Sequence, residues 1–196
     1  DVLQQWTFWL GLFFVLFPLN LFVYSLNDLG DREADRYNLR KGNFLFGAKA
    51  SEKELRSAVR IASFMLLAFA ICFSFMRGLE MVLLFAAIVL VNLLYNFEPF
   101  RIKSRPPFEL LIQVAYILTA VFSASINEVA HIPWQAVVYL SLFCFQAHLA
   151  GEIMDIDPDR LASKTTSALL LGRRNAKLLM VLILISEVYL LSFWFE

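Results

Sequence analysis

Two groups of acidic residues in this sequence are spaced like one face of a helix and could hold a cation. The first group has the pattern NDxxDxxxD and consists of Asn27, Asp28, Asp31 and Asp35. If a helix continues through it, residues four apart lie on one face and the carboxylates converge. Like charges at this spacing repel unless a cation lies between them. Mg²⁺ prefers oxygen ligands and often binds one or two carboxylates together with substrate phosphates, so the group predicts a Mg²⁺ site.

The second acidic group has the pattern ExxDxxxD and follows the fifth apolar run. It consists of Glu152, Asp155 and Asp159, with Asp157 among them and Lys164, Thr165 and Thr166 after them. Two such groups on one face of a membrane could hold two metal ions around one diphosphate. The plain alternative for either group alone is a solvated helix end, and the presence of both disfavours it. Neither has the spacing of an EF-hand.

A basic segment lies between the two acidic groups. It has the sequence YNFEPFRIKSRPP and runs from Tyr95 to Pro107. Arg101 and Lys103 could complement diphosphate oxygens that metal ions leave uncovered, whereas Arg105 is better explained as a membrane anchor. Tyr95 ends an apolar run, where it could be an interfacial residue or a hydrogen-bond donor to a leaving group.

The elements that must position these residues are transmembrane helices. The chain has 196 residues, of which 60% are hydrophobic and 20 are Phe, and its mean hydropathy is +0.66. Soluble domains have about 45–50% apolar residues, so lipid is the expected solvent. The apolar runs cover residues 6–26, 58–76, 79–97, 110–126, 134–149 and 178–195. Because they lack the alternation of barrel strands, they predict an all-α, polytopic transmembrane bundle that forms a single domain over residues 1–196.

The distribution of charge predicts the orientation of this bundle. The 17 basic and 17 acidic residues balance, which excludes a global field for nucleic acid. If the helices cross alternately, every basic residue except Arg77 lies at the end formed by the first, third and fifth connections. The positive-inside rule places that end, with all the motifs, in the cytoplasm. Cys72 and Cys144 lie far apart within apolar runs, which argues against a disulfide framework.

These motifs resemble, in order, the three signatures of the UbiA superfamily of membrane prenyltransferases. The resemblance covers nearly the whole chain and implies an all-α bundle around a central cavity that opens to the membrane. It implies that Mg²⁺ binds at two acidic clusters: Asp28, Asp31 and Asp35, and Glu152, Asp155 and Asp159. It further implies that the diphosphate contacts Asn27, Arg101, Lys103 and Lys164. By the same resemblance, the catalytic residues would be Asp31, Asp155 and Tyr95.

The resemblance implies transfer of an isoprenyl group from an allylic diphosphate to a lipophilic acceptor, with release of pyrophosphate. The acceptor would be a quinone precursor, a carotenoid or a related compound. Metals and cations would stabilise the leaving group, and a dry cavity would protect the allylic cation, which aromatic faces can stabilise. Within the superfamily, the run NDLGDREADRYNLRKGN is more similar to the carotenoid-elongating and related bacterial members than to the haem or chlorophyll branches. A bacterial inner membrane is the expected location.

The sequence also departs from the family pattern, and two other functions remain open. Family members commonly have Asp at the position of Glu152 and Gly at that of Ser163. They usually have one more helix before the first motif's helix and two more at the end, so we expect the chain to be incomplete at both ends and the full protein to have about nine spans. The alternatives are a non-catalytic subunit of a membrane complex and an ion transporter, which would use intramembrane acids such as Glu187. His148 is expected to be a packing residue that could approach the cavity.

Overall fold

The computed structural model describes residues 2–42 and 49–194, and the described part is helical without strands. Six helices are long and apolar enough to cross a membrane, which confirms the predicted all-α bundle of six spans. They are α1 (Trp6–Asp31), α2 (Glu52–Arg77), α3 (Leu79–Asn96), α4 (Phe108–Ile126), α5 (Trp134–Leu161) and α6 (Ser167–Trp194). Short 3-10 helices at Val2–Gln4, Ala34–Tyr37 and Ile102–Ser104 lie outside the spans.

Several helices extend further than the apolar runs predict. α1 continues to Asp31 and α5 to Leu161, and α6 begins at Ser167, so much of the segment between the fifth and sixth apolar runs is helical. Charged residues with good helix propensity can continue a helix beyond its apolar stretch. The hypothesis that one α-helix continues through the whole first motif is wrong, because α1 ends at Asp31 and a 3-10 helix follows at Ala34–Tyr37. The predicted end of the last run, residue 195, lies outside the described residues.

Local sequence features explain where the helices bend, begin and end. Pro18 has no N–H to donate, and α1 widens around it into a π-helical turn at Val15–Leu19. Ser51 caps α2 in a capping box with Glu54, which satisfies N–H groups at the start of that helix. Gly172 interrupts α6 with a φ of 75° and a ψ of 154°, a conformation that glycine adopts without a steric penalty. The π-helical turn and Gly172 therefore interrupt α1 and α6 without ending them.

A Phe-rich cluster forms the core of helices α1 to α4. Phe14, Phe73, Phe85 and Phe122 come from four different helices and are at most 4% exposed. The Phe14 ring centroid lies 5.1 Å from that of Phe122 and 5.6 Å from that of Phe73, within the range of favourable aromatic contacts. Since lipid tails are as apolar as these side chains, close van der Waals packing rather than escape from water stabilises the cluster.

A second, separate cluster joins α5 to α6. Leu149, Ile153 and Ile156 of α5 pack with Ala168 and Ala176 of α6, and both alanines are fully buried. Small residues at such a contact allow two helix backbones to approach closely. Helix α4 contacts both clusters, since its first turns pack against the α5–α6 cluster and its last turns against the Phe-rich cluster.

Side-chain contacts show which connections share an end of the bundle. At one end, Arg77 is the last residue of α2, and its guanidinium lies 2.8 Å from the Glu128 carboxylate and 3.1 Å from the Ile126 carbonyl oxygen. At the other end, the first, third and fifth connections meet, because Lys103 and Lys164 both contact Asp31. The helices therefore cross alternately, as the charge distribution predicts, and all three motifs lie at one end.

Candidate functional site

A cavity of about 760 Å³ lies among α1, α3, α4 and α5 and reaches the motif end of the bundle. Its body is lined mainly by apolar side chains, among them Val15, Leu19, Val23, Ile88, Val91, Ile112, Leu118 and Phe143. Its motif end is lined by polar and charged groups, namely Asn27, Asp31, Asn96, Lys103, Glu152, Asp155, Asp159, Lys164 and Thr166. This distribution suits a ligand that has an anionic head and an apolar tail.

The two acidic motifs meet across this cavity through one lysine. The Lys164 ammonium lies 3.2 Å from Asp31 Oδ1 on α1 and 3.4 Å from Asp159 Oδ1 on α5. Burial lowers the pKa of Lys164, but the charges of the two carboxylates raise it, and the net direction is upward. The ammonium is therefore held charged at the polar end of the cavity, between residues that are 128 positions apart in the sequence.

Lys103 places a second ammonium group at the same end of the cavity. Its ammonium lies 3.0 Å from Asp31 Oδ1 and donates a hydrogen bond of 3.0 Å to Asn96 Oδ1. The side chain is only 4% exposed. Burial lowers the pKa of Lys103, and the attraction of Asp31 offsets this only in part. Two ammonium groups thus converge on Asp31, where they can donate hydrogen bonds to an anionic ligand.

A third lysine joins the other two carboxylates of the first motif. The Lys41 ammonium lies 2.6 Å from Asp28 Oδ1 and 2.8 Å from Asp35 Oδ2. Burial lowers the pKa of Lys41, but Asp28 and Asp35 raise it by more than this, so the pKa is raised overall. The structure thus separates the first motif into Asp28 with Asp35, and Asp31, which pairs with the second motif instead.

The middle carboxylate of the second motif contacts the first connection. Asp155 Oδ1 accepts a hydrogen bond of 3.2 Å from Asn38 Nδ2 and forms an ion pair with Arg40. Arg101 lies elsewhere, since its guanidinium faces the Gly30 carbonyl oxygen at 3.4 Å, near the end of α1. Arg101 is not among the residues that line the cavity, and its contact with a diphosphate stays a prediction.

Glu152 has a contact that its motif does not predict. Its Oε2 accepts a hydrogen bond of 3.0 Å from the backbone N–H of Ala168, in the first turn of α6. Its Oε1 lies 3.3 Å from His148 Nε2, one turn earlier on α5. His148 lines the cavity, and its ring centroid lies 6.2 Å from that of Tyr95. Glu152 therefore links α5 to the start of α6 while lining the cavity.

The carboxylates have the right chemistry for Mg²⁺, but they form pairs rather than larger clusters. Within residues 2–42 and 49–194, no group of three or more His, Cys, Asp or Glu side chains could hold a metal ion. Instead, one ammonium lies between Asp28 and Asp35 and another between Asp31 and Asp159. Two carboxylates together with substrate phosphate oxygens are a usual Mg²⁺ ligand set, so each pair fits the ion.

The structure brings together most of the residues that the sequence singles out. Those that line the cavity are Asn27, Asp31, Tyr95, Lys103, Glu152, Asp155, Asp159 and Lys164, whereas Asp28, Asp35 and Arg101 lie outside the lining. Sequence reasoning missed Asn38, Arg40 and Lys41, although they directly follow the first motif and Lys41 adds a cation beside it. It also missed Glu109, a fully buried acid for which the sequence gives no signal beyond its place after two prolines.

Comparisons of the sequence with known proteins identify a family and several relatives. A model of the UbiA prenyltransferase family matches residues 2–196. The chain is 30% identical over 192 residues to a lycopene elongase/hydratase of Corynebacterium glutamicum, and the match covers 94% of this chain and 65% of that protein. It is 28% identical to a lycopene elongase/hydratase of Haloarcula japonica, over 94% of this chain and 61% of that protein.

A third relative has a different name. The C(50) beta-cyclic carotenoids biosynthesis protein LbtBC of Dietzia sp. is 27% identical, over 85% of this chain and 39% of that protein. The chain thus spans less than two thirds of the length of these relatives. No solved structure matches it.

Proposed function

We propose that this chain, which belongs to the UbiA prenyltransferase family, binds an isoprenyl diphosphate and transfers its isoprenyl group to a lipophilic acceptor within the membrane. The observation that supports this most directly is the contact of Lys164 with Asp31 and Asp159. It joins the two acidic motifs at the polar end of a cavity whose walls are otherwise mainly apolar. An amphipathic substrate fits such a cavity with its diphosphate at the motifs and its hydrocarbon among the helices.

Lys103 and Lys164 would carry the electrostatic part of the reaction. The bond between the allylic carbon and the diphosphate oxygen breaks with its electron pair moving to oxygen, so negative charge grows on the leaving pyrophosphate. Ammonium groups already fixed at that place stabilise this charge without reorganisation. Mg²⁺, held by carboxylates of the two motifs, would add further positive charge when bound. Asp28 with Asp35 would form one set of metal ligands, and Asp31 with Asp159 would form the second.

The walls of the cavity would protect the allylic cation until the acceptor attacks. Apolar side chains of α1, α3, α4 and α5 exclude water along the cavity body, which prevents hydrolysis of the cation. Tyr95 lines the cavity close to His148, where its hydroxyl could donate a hydrogen bond to the departing diphosphate. The electron pair for the new carbon–carbon bond would come from a double bond of the acceptor. The positive charge that this leaves on the acceptor would be removed by loss of a proton from the neighbouring carbon, which restores a double bond.

We infer that the acceptor is a carotenoid or a similar polyene. Two of the relatives are named lycopene elongase/hydratase and a third is named for C(50) carotenoid biosynthesis. The carboxylates that line the cavity, Asp31, Glu152, Asp155 and Asp159, all lie at its motif end, so the apolar body is free of acidic groups among the described residues. An ion pathway through the membrane would need such groups along its length, which disfavours the transporter alternative.

The activity can be tested with purified protein, Mg²⁺, lycopene and labelled allylic diphosphates of increasing chain length. We expect pyrophosphate release, and we expect Asp31→Ala and Asp155→Ala to abolish it while the protein stays folded. Arg77→Ala is the matched control, because it removes an ion pair at the opposite end of the bundle and should leave turnover unchanged. Normal turnover in both aspartate variants would contradict the proposed roles. Binding of the diphosphate without turnover would favour the non-catalytic subunit.

We also propose that the motif end faces the cytoplasm of a bacterial cell. This follows from the positive-inside rule, because the described end opposite the motifs has Arg77 as its single Arg or Lys. A cysteine introduced at exposed Arg56 should react with a membrane-impermeant thiol reagent only after the cells are opened. Reaction in intact cells would contradict this orientation.

A further inference from the structure

Glu109 is a fully buried acid that no part of the proposed mechanism uses. It lies in the first turn of α4, and its side chain reaches α6, where Oε1 accepts a hydrogen bond of 2.6 Å from the backbone N–H of Ser167. The next N–H of the same helix, that of Ala168, donates to Glu152 of α5. Carboxylates from two other helices therefore bind the first two N–H groups of α6, which a helix leaves without partners of its own.

The connection just before these N–H groups contains strained backbone. Ser163 has a φ of 53°, in the left-handed region that non-glycine residues rarely adopt. Such a conformation persists only where the surrounding structure holds it in place. The start of the connection is fixed by a hydrogen bond of 3.0 Å from the Lys164 N–H to the Asp159 carbonyl oxygen. Its end is fixed by Glu109 and Glu152 through α6.

This connection also positions two residues of the cavity. Lys164 and Thr166 lie between the strained Ser163 and the first turn of α6, and both line the motif end. We propose that Glu109 is a positioning residue, which holds the start of α6 so that Lys164 meets Asp31 and Asp159 at the diphosphate site. The inference rests on the proposed function only for the identity of the ligand. The restraint of the connection by Glu109 does not depend on the proposed function.

Limited trypsin digestion of the detergent-solubilised protein tests the restraint without any activity. Glu109→Leu removes the acceptor, and we expect cleavage after Lys164 to become about tenfold faster, since a buried hydrogen bond is lost. Glu109→Gln keeps an amide oxygen that can accept the same bond and should be cleaved at about the wild-type rate. Cleavage after Arg77, at the other end, is the internal reference, because general loosening would accelerate both cuts.

Ser167→Pro tests the same hydrogen bond from its donor side, and it serves if Glu109→Leu does not fold. Proline is tolerated at the first position of a helix but has no N–H to offer Glu109. We expect this variant, like Glu109→Leu, to be cut faster after Lys164. If every variant that folds is cut there at the wild-type rate relative to the Arg77 reference, Glu109 does not restrain the connection and the proposal is overturned.

Binding of inorganic pyrophosphate in the presence of Mg²⁺ tests the positioning role. We expect the Kd, measured by calorimetry, to rise about tenfold in Glu109→Leu or Ser167→Pro and to stay near wild type in Glu109→Gln. Faster cleavage with an unchanged Kd would mean that the restraint does not serve the anion site, which overturns the positioning role. If wild-type protein binds pyrophosphate but does not turn over substrate, the proposed reaction fails while the role of Glu109 at the anion site is still decided.

Discussion

Gly30 offers a sharp test of how closely the first motif packs against the basic segment. A methyl group added at Gly30 would lie 2.8 Å from Lys103 Nζ and 3.2 Å from the Asn96 carbonyl oxygen. The lysine could shift, but only by leaving its contact with Asp31, and the carbonyl belongs to the backbone of α3. Gly151 is the matched control, because it also lies in a helix beside the cavity and a methyl group there meets nothing within 4 Å.

The two alanine variants should differ in stability by a predictable amount. Replacing a helical glycine by alanine stabilises a protein by at most about 1 kcal/mol, because alanine loses less backbone entropy on folding. Adding a methyl group where space is already filled costs about 1–3 kcal/mol. Gly151→Ala should therefore be about 1 kcal/mol more stable than the wild type. Gly30→Ala should be about 1–3 kcal/mol less stable than Gly151→Ala, because only Gly30 incurs the steric cost.

Thermal unfolding in detergent measures this difference. For a chain of this size, about 1 kcal/mol corresponds to roughly 2–4 °C in Tm. Gly30→Ala should therefore melt roughly 2–12 °C below Gly151→Ala, and it should release pyrophosphate more slowly because Lys103 is displaced. If Gly30→Ala melts at or above Gly151→Ala, the close packing of α1 against Lys103 and Asn96 is wrong.

Two further predictions concern the first connection and α2. Lys41→Met removes the ammonium between Asp28 and Asp35, so the two carboxylates repel each other and should bind a divalent cation more strongly. Addition of 5 mM Mg²⁺ should therefore raise the Tm of this variant more than that of the wild type. Each additional 1 kcal/mol of binding corresponds to roughly 2–4 °C in Tm. An equal rise in both proteins would contradict this reasoning. Ser51→Ala removes the cap of α2 and should cost about 1 kcal/mol, measured as a lower Tm, without changing pyrophosphate release. An unchanged Tm would show that Glu54 and water replace the cap.

The sequence predicts the helices well because hydropathy determines them directly. Each apolar run is long enough to span a bilayer, and lipid requires such a run to be helical, so α1 to α6 follow from composition. The ends of the helices do not follow, because hydropathy falls at the membrane surface whether or not the helix continues. For this reason the fifth apolar run ends at residue 149, whereas α5 continues through Asp155 and Asp159 to Leu161.

The meeting of the two acidic motifs also follows from the sequence, since alternate crossing places both at one end of the bundle. Their detailed pairing does not follow. It depends on how the first connection folds back, which brings Lys41 to Asp28 and Asp35. Arg101 was expected at the diphosphate but faces the Gly30 carbonyl oxygen, because its own backbone turns there with a φ of 39°. The order of charged residues in a sequence does not predict such backbone turns.

Glu109 is another residue whose position and partner cannot be predicted from the sequence. As an acid two residues after the basic segment, it reads as a surface residue, yet it is completely buried. Its partner is the backbone of a helix that begins 58 residues later, and a backbone N–H has no signature in the sequence. Such a contact becomes visible only when α4 and α6 are placed side by side.

The division of the core into two clusters has a consequence for how the protein responds to its substrate. Helices α1 to α4 share the Phe-rich cluster and α5 shares another with α6, so the cavity lies along a seam between two blocks. A molecule bound in this seam would contact both blocks and hold them together. At a concentration 100 times its Kd, any such ligand stabilises the folded state by about 2.7 kcal/mol. Heat resistance should therefore report occupancy, and candidate acceptors can be ranked by melting the protein in their presence.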